Sequence, residues 1–215
     1  MKKRFLSCFM ALALCLSLLP TAALAAEPDV WDGSMKAPSG SGTSESDPYL
    51  ISTGEELAWL ATLEAERSYF VKLTNDIILN DGTFDQNGRF TKTGETAAST
   101  PRAWTPAPKA VWHIDGDGHY ISGMYINSNE GNVGLFRYLY GYPYSKGYVR
   151  DLTIKNSYVR LTRDNPQYGN GKAGVFAGES FSTEYTNCFS ENNIVSTDCY
   201  ATGGIVGSSQ GDTFN

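Results

Sequence analysis

The sequence predicts an all-β solenoid with one N-terminal helix forming part of its cap. Three observations carry that expectation. From Val111 onward, short apolar segments recur at close spacing, each closed by Gly, Asn or Asp. Two stretches of the chain match each other at offsets of 40 and 36 residues, the mark of stacked units. The composition, with 22 Gly, 13 Tyr and only 19% charged residues, suits a turn-rich extracellular β protein better than a helical one.

The elements follow in order. Residues 1–25 read as a secretory signal peptide: Lys2, Lys3 and Arg4 precede an apolar run from Phe5 to Leu19, and Ala23-Leu24-Ala25 is an A-x-A cleavage site. The run is too short for a permanent membrane helix, and no later segment approaches a span, so no membrane insertion is expected after cleavage. The remaining 190 residues carry 14 basic against 23 acidic side chains. That balance argues against a nucleic-acid partner and against docking on anionic lipid. Residues 26–47 are rich in Gly, Ser and Pro and read as a flexible leader. Residues 48–110 form an N-terminal cap region: a strand at PYLIS, a helix over about 53–66, and strands at YFVKL and DIILN. Thr53 and Glu56 stand in capping-box register, and Leu57, Trp59, Leu60 and Leu63 give the helix its apolar face. Residues 81–110 read as loop from their Gly, Thr and Pro content. Residues 111–215 are the β-solenoid, with strands at VWHI, YISGMYI, VGLF, YVRDLTI, SYVRL, AGVFAG, NNIVS and GGIVG.

The internal match is specific. VGLF (133–136) aligns with AGVF (173–176), and RDLTIKNSYV (150–159) with TNCFSENNIV (186–195). Asp151 then faces Asn187, Leu152 faces Cys188, Asn156 faces Asn192 and Val159 faces Val195. A third unit begins at Gly203 and breaks off at Asn215, so the natural protein is expected to continue, with a cell-wall attachment region beyond this point. In this reading the glycines take tight corners at positive φ. The neighbouring Leu, Val, Ile and Phe point inward, and Asn156 stacks on Asn192 through amide hydrogen bonds.

The segments Gly134-Leu135-Phe136, Gly174-Val175-Phe176 and Gly204-Ile205-Val206-Gly207 resemble the repeat of GLUG-motif bacterial surface proteins, named for a Gly-Leu-apolar-Gly signature. Only the third has the final glycine in place; Arg137 and Ala177 stand there in the others. DPYLISTGEELAWLA, LTNDIILN and IDGDGHYISGMYI are similar to the region preceding such repeats. The resemblance implies a right-handed parallel β-helix displayed outside the cell in adhesin-like proteins, and no catalytic residues.

Several patterns bear on chemistry. His113 and His119 have no ligand-spaced partners and read as strand or surface residues. Asp115 and Asp117 in IDGDGHY are Ca²⁺ candidates by their hard oxygens, but a turn explains the Asp-Gly steps better. GNGKAG lacks the helix of a dinucleotide site, and GSSQG around Ser209 lacks the helix and histidine of a nucleophile elbow. Cys188 and Cys199 either pair or sit as two small buried thiols. In FRYLYGYPY, Phe136, Tyr138, Tyr140, Tyr142 and Tyr144 recur at every second position, which on an extended chain places all five rings on one side. Such a face suits sugar rings or a peptide, although packing on the flank is the plainer reading.

The expectation is therefore a non-catalytic secreted or cell-surface binding and structural module, adhesin-like, needing no cofactor. Its expected partners are glycans or host surface proteins, met through Tyr138, Tyr140, Tyr142 and Tyr144. Two alternatives stand beside it. One is the non-catalytic front of a large secreted peptidase. The other is a polysaccharide lyase or glycosidase, which should gather carboxylates and a basic residue on one face; no such column is visible in the sequence.

Overall fold

The computed structural model describes residues 29–142, 145–162 and 170–215. The signal peptide expected at 1–25, and Tyr144, lie outside the described residues. In chain order the elements are β1 (Tyr49–Ile51), α1 (Gly54–Trp59), a 3₁₀ turn (Leu60–Thr62), β2 (Ser68–Leu73), β3 (Ile77–Ile78), β4 (Gly82–Phe84), β5 (Phe90–Lys92) and β6 (Val111–Asp115). These are followed by β7 (Tyr120–Ser122), β8 (Tyr125–Ser128), β9 (Phe136–Tyr140), β10 (Gly147–Lys155), β11 (Tyr158–Leu161) and β12 (Lys172–Gly174). The last are β13 (Ala177–Phe181), β14 (Thr183–Glu191), β15 (Ile194–Thr197), β16 (Ala201–Gly203), β17 (Val206–Gln210) and β18 (Thr213–Phe214).

The all-β expectation of a right-handed parallel β-helix with an N-terminal capping helix is corrected. Among the described residues the strands divide into separate, mostly short sheets rather than one continuous solenoid. One sheet of eight strands runs β1-β2-β6-β10-β14-β18, with β7 pairing both β10 and β3. The others are β15-β11-β8, β17-β13-β9, β12-β16 and the antiparallel pair β4-β5, where a parallel array was expected. Two features of the sequence divide the strands. Asn156, Ser182 and Asn192, at φ between 50° and 53°, take a left-handed conformation between strands and separate them, whereas Asp151 and Asn187, at φ 52° and 51°, bulge β10 and β14 without dividing them. The Gly- and Thr-rich stretch after Asn80 turns back on itself at Asp85–Gly88 and pairs as a hairpin, instead of remaining loop.

Pairing nonetheless follows the internal match. Leu152 pairs with Cys188 and Val159 with Val195, both parallel and 36 residues apart. Further up, Leu135 N–H donates to Val175 C=O and Phe176 N–H to Ile205 C=O, each at 2.9 Å. The strands turn their apolar side chains to a common core in which Tyr69, Trp112 and Phe136 follow one another at ring distances of 5.2 and 4.8 Å. Burying each of these rings contributes on the order of 2 kcal/mol.

The N-terminal region departs from expectation at two points. The helix is six residues and a 3₁₀ turn rather than fourteen residues, because Leu63 is already extended at ψ 153°. Thr53 Oγ1 accepts from Glu56 N–H, as the capping box requires, but the Glu56 carboxylate returns to Ser52, accepting from its N–H and its hydroxyl at 2.8 Å each. Residues 29–47, read from composition as a flexible leader, are anchored. Trp31 is 5% exposed in the core, its N–H donates to Ile78 C=O, and Leu50 N–H donates to Ser39 C=O.

Candidate binding surfaces

The tyrosine strip folds differently from a simple alternation. In β9, Phe136 and Leu139 are both 1% exposed although they are three residues apart, so the alternation slips once between them. Phe136 packs on Trp112 inside, so it does not share the outward side of Tyr140. Tyr138 and Tyr140 remain half-buried on the outward side and Tyr142 is 50% exposed. Tyr140 is covered on both faces: Phe181 of β13 stacks at 5.3 Å and the Lys109 ammonium lies 4.6 Å from the ring centre. Tyr142 meets Tyr140 edge-on at 5.4 Å. Tyr138 is in register with Glu179, whose carboxylate holds Lys172 at 2.7 Å and accepts from Asn132 Nδ2 at 3.0 Å. The strip therefore offers ring edges, hydroxyls and one open ring, Tyr142, on a rigid base.

The glycine-aliphatic segments are structural, but not through positive φ. Gly134, Gly174, Gly203, Gly204 and Gly207 do not adopt it; positive φ falls instead on Asp151, Asn156, Ser182, Asn187 and Asn192 and on glycines outside these segments, such as Gly123 and Gly211. What Gly174 supplies is close approach: a Cβ there would lie 2.5 Å from Gly207 N and nearer still to Ala177 O. Pairing also sets the third copy one residue earlier than the sequence alignment. Gly174 pairs with Gly203, and Ala177 with Val206. Leu135 and Val175 are fully buried, while Ile205 and Val206 are half-buried. The expected amide contact is found not between Asn156 and Asn192 but one corner earlier, where Asn187 Nδ2 donates to Asp151 Oδ1 at 2.9 Å.

A second surface was not visible in the sequence. On the outer face of the large sheet, Phe70, His113 and Tyr148 stand in register on β2, β6 and β10, and Lys72, Asp115 and Arg150 stand in register beside them. They line a cleft of about 190 Å³. His113 stacks on Phe70 at 4.2 Å and faces Tyr148 at 5.0 Å. Its Nε2 bonds Ser68 Oγ at 3.1 Å, and Nδ1 has no partner. Burial pulls the imidazole below its ordinary pKa, with Glu45 opposing, so it is neutral near pH 7. Arg150 Nη2 donates to Asp115 Oδ2 at 2.7 Å and to Glu45 Oε1 at 3.0 Å, and its guanidinium lies 4.8 Å over Tyr148. Burial pushes the Asp115 carboxyl up, but hydrogen bonds from Arg150 and the Asp117 N–H, with the charges of Arg150 and Lys72, outweigh it and hold the group below the ordinary value. Asp117 adopts φ 51° and pairs with Lys72 at 3.0 Å, so Asp115 and Asp117 form a turn whose charges answer cations of the protein itself. Among the described residues no three His, Cys, Asp or Glu side chains gather to hold a metal ion.

His119 Nδ1 lies 3.1 Å from Asp76, at a strand start. Cys188 and Cys199 are both free and half-buried, with Sγ directed at the carbonyls of Val149 and Thr162. Among the described residues no helix is long and apolar enough to cross a membrane.

No family model matches the chain, and no solved structure matches it. Over 127 residues it is 32% identical to the "Putative Gly-rich membrane protein" of Evansella cellulosilytica. That similarity covers 57% of this chain and 12% of the longer protein, so the chain spans a small part of its relative's length.

Proposed function

We propose that the chain is a non-catalytic, secreted or cell-surface binding module that meets glycans along an outer sheet face. The observation that supports this reading is the outward aromatic patch of β9 and β13. Tyr140 is clamped between Lys109 and Phe181, and Tyr142 lies half in solvent against it. A ring held in advance loses little freedom when a sugar docks, and Tyr hydroxyls add polar contacts at the rim. Display at the cell surface, expected from the GLUG-like segments, belongs to the same reading. The test is a glycan and host-matrix binding array with the secreted chain, followed by Tyr138→Ala and Tyr142→Ala. Binding that falls in the variants while thermal stability holds supports the reading; binding that is unchanged removes the patch from it.

A second reading, a polysaccharide-cleaving enzyme, gains one specific observation. Asp115 stands in register with Lys72 and Arg150 on three adjacent strands beside His113, a column of one carboxylate and two basic residues that supports this reading in part. Release of reducing ends from acidic or neutral polysaccharides, lost in Asp115→Asn, favours this reading over the first.

A further inference from the structure

The ion pair between Glu45 and Arg150 joins groups 105 residues apart. Glu45 belongs to the segment preceding β1, and its side chain is 64% exposed. Arg150 receives that carboxylate on a guanidinium already oriented by other groups. The guanidinium is fixed by Asp115, whose side chain is only 17% exposed, and by the ring of Tyr148 beneath it. Lys72, itself 36% exposed, lines the same cleft but is paired with Asp117 at 3.0 Å, so Arg150 is the cation that a ligand carboxylate meets. A planar guanidinium held from one side recognises a carboxylate with geometric specificity.

We propose that this cleft takes the carboxylate of an acidic sugar, a hexuronate within a glycan chain, and that Glu45 occupies that position in the free protein. The proposal rests on the reading of the chain as a glycan-binding module and goes beyond it, because this cleft on β2, β6 and β10 is a site separate from the tyrosine patch of β9 and β13. Three features fit. Exchange of the Glu45 carboxylate for a ligand carboxylate leaves the charge of the cleft unchanged, so Asp115 opposes the ligand no more than it opposes Glu45. The volume, about 190 Å³, lies below the roughly 300–1,000 Å³ of pockets for larger ligands, which suits one sugar ring. His113, 8% exposed, keeps Nδ1 without a partner in the same wall, a polar atom that a sugar hydroxyl, able both to donate and to accept, satisfies in either tautomer.

Because Glu45 is tethered, it competes at an effective concentration of about a millimolar or more. Removing it should therefore tighten the ligand, which a purely structural ion pair would not do. The experiment is calorimetric titration of the secreted chain with trigalacturonate and, separately, with the neutral trigalactose of the same length, for wild type, Glu45→Gln, Arg150→Gln and Tyr142→Ala. The expected result is binding of trigalacturonate that tightens about fivefold in Glu45→Gln, the scale of an exposed ion pair, and is lost in Arg150→Gln. Tyr142→Ala, on the separate tyrosine patch, reads whatever that patch contributes to binding of the neutral sugar. Trigalacturonate affinity that is unchanged or weaker in Glu45→Gln overturns the proposal, and this arm decides even where Arg150→Gln fails to fold. Neutral sugar bound through Tyr142 with no binding of trigalacturonate overturns it while leaving the glycan-binding reading intact. No binding of either sugar overturns the proposal, and the array with Tyr138→Ala and Tyr142→Ala then decides the glycan-binding reading by itself.

Discussion

Substituting alanine at Gly174 and at Gly204 separates two accounts of why the chain writes glycine beside its aliphatic wedges. If the residues serve positive-φ corners, both substitutions are harmful. If close approach is the reason, only the first is. At Gly174 the added Cβ would stand 2.5 Å from Gly207 N and 2.7 Å from Val206 Cα, and closer to Ala177 O. Non-bonded carbon atoms settle at about 3.5–4.0 Å, so the neighbouring strand must move by roughly 1 Å. These contacts are backbone, and no side chain can swing away, so the cost belongs at the upper end of the overpacking range, about 3 kcal/mol. For a domain of this size that lowers Tm by about 6–12 °C. At Gly204 nothing lies within 4 Å and φ is not positive. There the substitution restricts mainly the unfolded chain and stabilises by roughly 0.4–1 kcal/mol. Thermal unfolding followed by circular dichroism reads both. A Gly174→Ala variant that melts with wild type, or a Gly204→Ala variant that melts far below it, refutes the close-approach argument.

Four further outcomes are expected. Leu135→Ala, at a site 1% exposed, should cost about 2–5 kcal/mol, and Ile205→Ala, half-buried, distinctly less; equal losses in urea unfolding would contradict the burial gradient. Thr53→Ala should lower stability by about 1 kcal/mol through loss of its bond to the Glu56 N–H, and an unchanged denaturant midpoint would show that the cap is idle. Burial holds the folded His113 pKa below its ordinary value near 6.5, so the unfolded chain binds more protons and stability falls as pH drops below about 6.5. His113→Phe should flatten that slope between pH 7 and 5, and an unaltered slope would assign it elsewhere. Burial raises the Cys188 thiol to about 11, so alkylation at pH 8 should be slow in the folded chain and fast in urea; fast labelling of the native protein at Cys188 contradicts its placement.

The sequence was most informative where a pattern is local. Strand positions such as VWHI and YVRDLTI appear as β6 and β10 because alternating or β-branched runs ended by Asn, Asp or Gly report which side of a strand is covered. The 36-residue match was legible for the same reason: Leu152 and Cys188, or Val159 and Val195, occupy like environments and are paired. The division into separate sheets was not legible, because a left-handed Asn156 or Asn192 looks like any other polar residue in a strand-like run. The tyrosine strip misled because one slip between Phe136 and Leu139 reverses which residues face inward. The leader misled because composition does not reveal that Trp31 finds a core site against Trp104 at 5.9 Å. The cleft was hidden for a different reason. Lys72, Asp115 and Arg150 become neighbours only through the register of three strands separated by long connections, and Glu45 reaches them from outside the sheet.

Both proposed surfaces depend on parallel registers that join distant segments, and nuclear Overhauser contacts in the labelled chain test that dependence directly. Cross-strand amide-to-Hα contacts are expected between Leu152 and Cys188, between Ile114 and Val149, and between Tyr140 and Phe181. Contacts confined to sequence-adjacent strands in antiparallel hairpin register, with none at these pairs, would contradict it and dismantle the cleft and the tyrosine patch together.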